Sequence, residues 1–385
     1  MSNLVHASVG MVVPTFVEVP AIIKKATAPS VQVKTLSLKD FHNQETRPKF
    51  LQEMRESLMR IGTFYIKDHG IAANMTTDAM KAVQEYFALP LEEKKKMLIG
   101  NSRHFRGYKL LGDEFTNDQL DHREQLQFGP EQAPIVTFKP SVSPDYEGLQ
   151  GPNQWPASTV ALLPHFKPCV LEFMNQLETL SQQLMEAIGL SLGLRSSFFR
   201  DLFGQTPYYR LKCARYPSVK KGNTIGCGAH KDTGFLTLLF QDMVGGLQGQ
   251  DPLTGQWMDT KPIPGTMIVT MGEAIEKLTG GLYHATVHRV LNNTSGQDRY
   301  SIPFFFDPSL DAQIACRIEG LDTSAQLDFV TKAGENKIDE LVHGLGITTL
   351  ESSEPTETWS NGAHVFETVH RCHPEVYSRW YTCEL

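Results

Sequence analysis

Gly228-Ala229-His230-Lys231-Asp232-Thr233-Gly234 leads without a break into Phe235-Leu236-Thr237-Leu238-Leu239-Phe240-Gln241-Asp242. A histidine and an aspartate two positions apart stand at the mouth of a β-rich run. In an extended strand, residues i and i+2 face the same way, so His230 and Asp232 can enter one cavity from a single strand end. Runs like 233–242 recur at 209–217, 265–272, 284–291 and 299–306, each set off by Gly or Pro. Many short strands with regular turn signals indicate an all-β sandwich or barrel.

Outward from this block the pattern changes. Phe50, Met54, Leu58 and Ile61 have helical spacing across 46–61, Phe64-Tyr65-Ile66 reads as a short strand, and Thr76-Thr77-Asp78 caps a further helix. A long helix is expected from Pro168 to Ile188, with Gly189 as its stop. Residues 100–158 are rich in Gly, Pro, Asp and Gln, and read as an irregular, functional stretch. The chain divides into 1–158 (an N-terminal helical and strand region with irregular loops), 159–310 (the long helix and β core) and 311–385 (a C-terminal extension), together one compact unit.

With 41% hydrophobic and 21% charged residues in 385, the composition is that of a soluble globular protein. A net charge of -7 argues against nucleic acid as partner, because phosphate binding wants a basic surface. Pro14, Glu18 and Pro20 interrupt the mildly apolar N-terminus and no basic run precedes it, so it reads as neither signal peptide nor membrane span. The six cysteines are scattered without a CxxC pair, as expected of reduced thiols in the cytoplasm.

His288 lies 56 positions past Asp232, in Thr286-Val287-His288-Arg289-Val290, and Arg299-Tyr300-Ser301 begins 11 positions later. Two imidazoles and a carboxylate suit Fe(II), Mn(II) or Zn(II), and such a triad leaves one face of the metal open. His288 must come from a different strand than the other two. Arg299 and Ser301 obey the same period-two rule, and an arginine there offers a fork for a carboxylate. The polar stretch 292–298 is expected to turn the chain back, placing that fork on the strand next to His288. His284 shares the parity of His288 and is its rival as third ligand.

These residues resemble the isopenicillin N synthase-like family of Fe(II)/2-oxoglutarate-dependent oxygenases. The resemblance is carried by Ala214-Arg215-Tyr216-Pro217, the 228–242 stretch, Gly245-Gly246-Leu247-Gln248, 286–290 and 299–305, by 61–71 and 106–108 in the N-terminal half, and by weaker echoes near Gly362 and before Pro374. It implies a mainly β fold with flanking helices around a double-stranded β-helix, or jelly roll. It maps His230, Asp232 and His288 onto the metal ligands, and Arg299, Ser301 and Tyr216 onto the 2-oxoglutarate site. The implied cofactors are Fe(II), 2-oxoglutarate and O2, with ascorbate as a stimulant. The implied reaction is oxidation of a small organic molecule, by hydroxylation, desaturation or ring rearrangement, in specialised metabolism, with release of succinate and CO2. Two alternatives stand beside it: an iron oxidase of the same fold that uses no 2-oxoglutarate, and a non-catalytic ligand-binding relative.

For the substrate, the family's layout nominates Arg106, Tyr108 and Phe240, together with Phe304 and Phe306, read as inward-facing after the Arg-x-Ser pair. Arg123 has two readings, a partner for a substrate acid and a surface ion pair, and the second is taken as the expectation. The segment from about Arg317 to Trp359 is longer than the family's usual connection, and part of 335–375 is expected to act as a lid, with a surface ornament or a dimer contact as equal alternatives.

Overall fold

The computed structural model describes residues 32–116, 119–139, 143–220, 225–321 and 358–382. The strands in chain order are β1 (Thr35–Ser37), β2 (Thr63–Lys67), β3 (Gly107–Lys109), β4 (Phe115–Thr116), β5 (Gln119–Leu120), β6 (Glu124–Phe128), β7 (Tyr208–Tyr216), β8 (Cys227–His230), β9 (Leu236–Gln241), β10 (Leu247–Gln250), β11 (Trp257–Asp259), β12 (Thr266–Met271), β13 (His288–Val290), β14 (Arg299–Asp307), β15 (Gln313–Ala315) and β16 (Thr358–Ser360). The helices are α1 (Leu38–His42), α2 (Arg47–Arg60), α3 (Ala73–Ala88), α4 (Leu91–Lys95), α5 (Ala157–Leu162), α6 (Phe166–Ser191), α7 (Phe198–Phe203), α8 (Glu273–Leu278), α9 (Asn361–Cys372) and α10 (Pro374–Trp380).

Two sheets form the core. An eight-stranded sheet runs β1-β2-β12-β9-β14-β7-β6-β3, and a four-stranded sheet runs β11-β10-β13-β8. Apart from the parallel β1–β2 pair, the ladders in both are antiparallel. One face of the large sheet is closed by helices. Val170, Phe173, Met174, Leu177, Leu180, Leu184 and Ile188 of α6 are buried at helical spacing against β9 and β14. The other face looks across a cavity at the four-stranded sheet.

Four of the expected elements come out differently. The α3 helix starts at Ala73, and Thr76 and Thr77 instead bond their hydroxyls back to the Ala73 carbonyl. The α6 helix passes Gly189 and ends at Ser191. The expected 284–291 strand shortens to 288–290, flanked by bonds from the Gln250 amide to the Val287 carbonyl and from the Leu291 amide to the Gly246 carbonyl, because the His284 and Ala285 amides donate instead to the Leu58 carbonyl and the Glu276 carboxylate. Within 100–158, β3 and β6 join the edge of the large sheet, where Gly-rich composition had suggested only loop.

Candidate active site

The β8 strand ends at His230, and β13 begins at His288; the two are antiparallel partners with ring centroids 4.4 Å apart. Asp232 lies just beyond the β8 end. Its Oδ1 is 3.8 Å from His230 Nε2 and 3.7 Å from His288 Nε2. One donor atom from each of the three falls within 4.8 Å of the others. The Nδ1 of His230 is 2.8 Å from the Gly228 carbonyl, and that of His288 is 3.0 Å from the Thr286 carbonyl. A ring that gives its Nδ1–H to a carbonyl keeps the Nε2 lone pair free, so both imidazoles offer a metal-binding nitrogen in a fixed orientation. Burial pulls His288 toward the neutral form, and the His230 ring beside it adds to this. Burial alone would raise the Asp232 carboxyl, but the two imidazoles and the Thr237 hydroxyl outweigh it and hold Asp232 low, as a carboxylate.

The loop behind Asp232 is clamped. Its carbonyl accepts from Glu273 N at 2.8 Å, at the start of α8. The Phe235 amide donates to Asp307 Oδ1 at 2.9 Å, at the far end of β14. Gly234 lies so close to Asp307, and Gly272 to the Gly234 carbonyl, that a Cβ at either position would collide. Neighbouring β8 is held by Asp121, which is fully buried and accepts from the Gly228 amide at 3.0 Å and the Thr116 hydroxyl at 2.7 Å.

The triad shares a cavity of about 110 Å³ with Tyr216, Arg299 and Ser301. Arg299 begins β14, opposite Tyr216 on β7, and its guanidinium sits 4.8 Å from that ring. The expected fork is therefore present, but not on the strand next to His288: β14 belongs to the other sheet, so Arg299 faces the triad across the sandwich. Arg299 is 1% exposed. Its Nη2 donates to Gln241 Oε1 at 2.8 Å, while Nε and Nη1 are buried without a partner. Unmet donors on a buried cation are costly, and a carboxylate would satisfy two at once. His284 drops out as a metal ligand; its Nδ1 is 3.6 Å from Glu276.

A 2OG-Fe(II) oxygenase superfamily model matches residues 207–308, and the model for the non-haem dioxygenase in morphine synthesis N-terminal domain matches 33–158. The 2-oxoglutarate-dependent dioxygenase frbJ of Dothideomycetidae sp. (strain 11243) is 35% identical over 91% of this chain and 92% of its own. The chain belongs to the isopenicillin N synthase-like Fe(II)/2-oxoglutarate-dependent oxygenases. This oxygenase is a dioxygenase that uses Fe(II), 2-oxoglutarate and O2. It is also 32% identical to a 1-aminocyclopropane-1-carboxylate oxidase of Dictyostelium mucoroides, over 72% of this chain and 82% of that one. Among solved structures it resembles a full-length Neurospora crassa protein in complex with alpha-KG, with TM-score 0.70, 23% identity and coverage of 88% and 96%. A putative 2OG-Fe(II) oxygenase family protein from Caulobacter crescentus gives TM-score 0.68 at 25% identity, covering 89% and 100%. The jelly-roll fold with flanking helices is thus established.

The residues expected to touch substrate lie elsewhere in the oxygenase. Arg106 is buried at a distance from the cavity, donating to the carbonyls of His104, Pro130 and Leu149 and to Asn153 Oδ1. Tyr108 gives its hydroxyl to Glu124. Phe240 packs edge-on against Phe173 of α6, on the helix side of the sheet. Phe304 and Phe306 also turn to that side, against Tyr209 and Phe203. The inward parity of β14 is that of Arg299 and Ser301, so Pro303 and Phe305 line the cavity instead. Arg123 is no surface pair: its side chain is 12% exposed and lines the cavity. Lys212 lines it too; it shares parity with Tyr216 on β7, a signal that the sequence carried. Gln241 could likewise have been read from the parity of β9, whereas Glu114 and Asp121 lie in the stretch without periodicity.

Of the expected lid, 335–357 fall outside the described residues. The described end forms α9 and α10, whose Val365, Phe366, Val369 and Val376 bury against Ile99, Phe105, Leu149 and Leu310. His364 of α9 lies 3.1 Å from the Thr233 carbonyl, beside the loop of Asp232. Cys169, Cys213, Cys227, Cys316 and Cys372 are unpaired, and no helix among the described residues is long and apolar enough to cross a membrane.

Proposed function

We propose that His230, Asp232 and His288 hold the Fe(II), and that Arg299, with Ser301 and Tyr216, seats the far carboxylate of 2-oxoglutarate. The enzyme then oxidises a C–H bond of a small organic molecule lodged between the two sheets. The observation that carries this reading is the buried Arg299 guanidinium, with two donors unmet, opening onto the same cavity as the triad. When bound, the iron with 2-oxoglutarate and O2 supplies the oxidant, and succinate and CO2 leave.

The chain's own part is binding, orientation and exclusion of water. The two imidazoles arrive with their Nε2 lone pairs directed inward by backbone carbonyls. Tyr216 stacks on the Arg299 guanidinium and limits its rotation. Leu247, Ile268 and Val290 make the neighbouring wall apolar, so a carboxylate placed there meets its cation in a low-dielectric setting. The unpaired cysteines favour a reducing compartment such as the cytoplasm.

The test is an anaerobic titration of Fe(II) and 2-oxoglutarate, followed by the visible charge-transfer band of the chelate. Wild type should develop the band, Asp232→Ala should not, and Arg299→Leu should need at least about tenfold more 2-oxoglutarate. A wild-type band that Arg299→Leu leaves untouched would remove Arg299 from its assigned role.

A further inference from the structure

The cavity holds two further cations that the proposed metal and cosubstrate sites do not employ. Arg123 and Lys212 both line it. Along the floor made by β14 and β7, Arg299 stands opposite Tyr216 and Ser301 opposite Ala214. Lys212 continues the same β7 face, and its ammonium lies 6.0 Å from the Phe305 ring. It is four residues from Tyr216, about 13 Å of extended chain. The Lys212 end is thus well removed from the Arg299 end.

Both cations are incompletely engaged. Arg123 Nη2 is 2.9 Å from Asp121 and 3.1 Å from Glu114, but its Nε is buried without a partner. Lys212 Nζ is 3.5 Å from Glu114 Oε1, a long ion pair for a group with three N–H donors. Glu114 is further occupied by the Gln125 amide, and Asp121 by the Gly228 amide and the Thr116 hydroxyl. Both carboxylates are buried, at 5% and 0% side-chain exposure, and neither lines the cavity. A ligand in the cavity therefore meets the cations and not the anions that balance them.

We propose that Arg123 and Lys212 form a second anion seat, which takes a carboxylate of the substrate, so that the compound oxidised is a small organic acid whose apolar part lies along Pro303 and Phe305. This rests on the assignment of the triad and Arg299 given above, and it names the substrate class that the assignment leaves open.

The probes are two matched pairs, phenylacetate with phenylacetamide and octanoate with octanamide. Each is titrated calorimetrically into the full-length, Fe(II)-loaded enzyme, saturated with 2-oxoglutarate and kept anaerobic. At least one acid should bind about tenfold tighter than its amide, or better. Lys212→Met should erase that preference and Lys212→Arg should keep it. Both variants should bind 2-oxoglutarate within about twofold of wild type, which also reports that they fold. Equal binding of acid and amide, no binding by either acid, a preference that survives in Lys212→Met, or an acid that binds only by displacing 2-oxoglutarate would each overturn the proposal. Failure of 2-oxoglutarate itself to bind, or indifference of that binding to Arg299→Leu, would instead overturn the cosubstrate assignment.

Discussion

Arg106 and Arg299 are each 1% exposed, and each is a cation taken out of water. Arg106 is answered by the chain itself, with three backbone carbonyls and one side-chain amide oxygen around its guanidinium. Arg299 has one such partner, Gln241, and two donors left over. The contrast separates a guanidinium that ties loops together from one that waits for a ligand. Residue type, burial and nearness to a recognised motif are the same for both; the tally of met and unmet donors tells them apart.

The largest effect is expected at Arg106. Arg106→Met strands several buried acceptors and should cost about 3–5 kcal/mol in urea unfolding, whereas Arg299→Leu should change stability by less than about 1 kcal/mol. Equal losses would erase the distinction. Next comes the parity of β14. Phe304→Ala opens a hole in the core under α6 and should cost about 3 kcal/mol or more, while Phe305→Ala should leave the melt near wild type and alter substrate binding. Third, Fe(II) with 2-oxoglutarate at 100 times its dissociation constant should stabilise wild type by about 2.7 kcal/mol, and Arg299→Leu by far less at the same concentrations.

The smallest effect per group concerns pH around Arg106. Burial pushes His104 and His373 down to about 4. Between pH 6.5 and 4 the unfolded chain therefore binds more protons than the folded one, and stability falls as pH drops through that window. Each histidine should contribute about 2 kcal/mol of loss between pH 7 and pH 5, checked by urea unfolding of the wild type beside His104→Gln. A variant whose pH dependence matches wild type would contradict the buried, neutral imidazole.

How far the site was legible in the sequence follows from the reach of the local rules. His230, Asp232 and His288 could be read because strand periodicity and motif order both constrain them. Arg299 and Ser301 were readable as a pair, but not their sheet, since a loop of seven residues can turn back beside its own strand or cross a sandwich. Phe304 and Phe306 were misplaced by a parity that Arg299 itself sets, so this error lay within what the sequence could correct. Arg106 and Arg123 were out of reach. What surrounds each guanidinium depends on residues 103–155, where Gly, Pro and Asp remove the periodicity that would place a side chain. Long-range partners such as Asn153 for Arg106 exist only once those loops have folded.

The β14 strand begins at Arg299 and ends at Asp307, whose carboxylate holds the loop carrying Asp232. One uninterrupted run of nine residues thus measures out the gap between the acid anchor and the metal loop. Adding or deleting a single residue inside it would both change that gap and swing the guanidinium out to the helix side. A surface loop can gain residues at a modest entropic cost, but the count along this strand cannot drift by one.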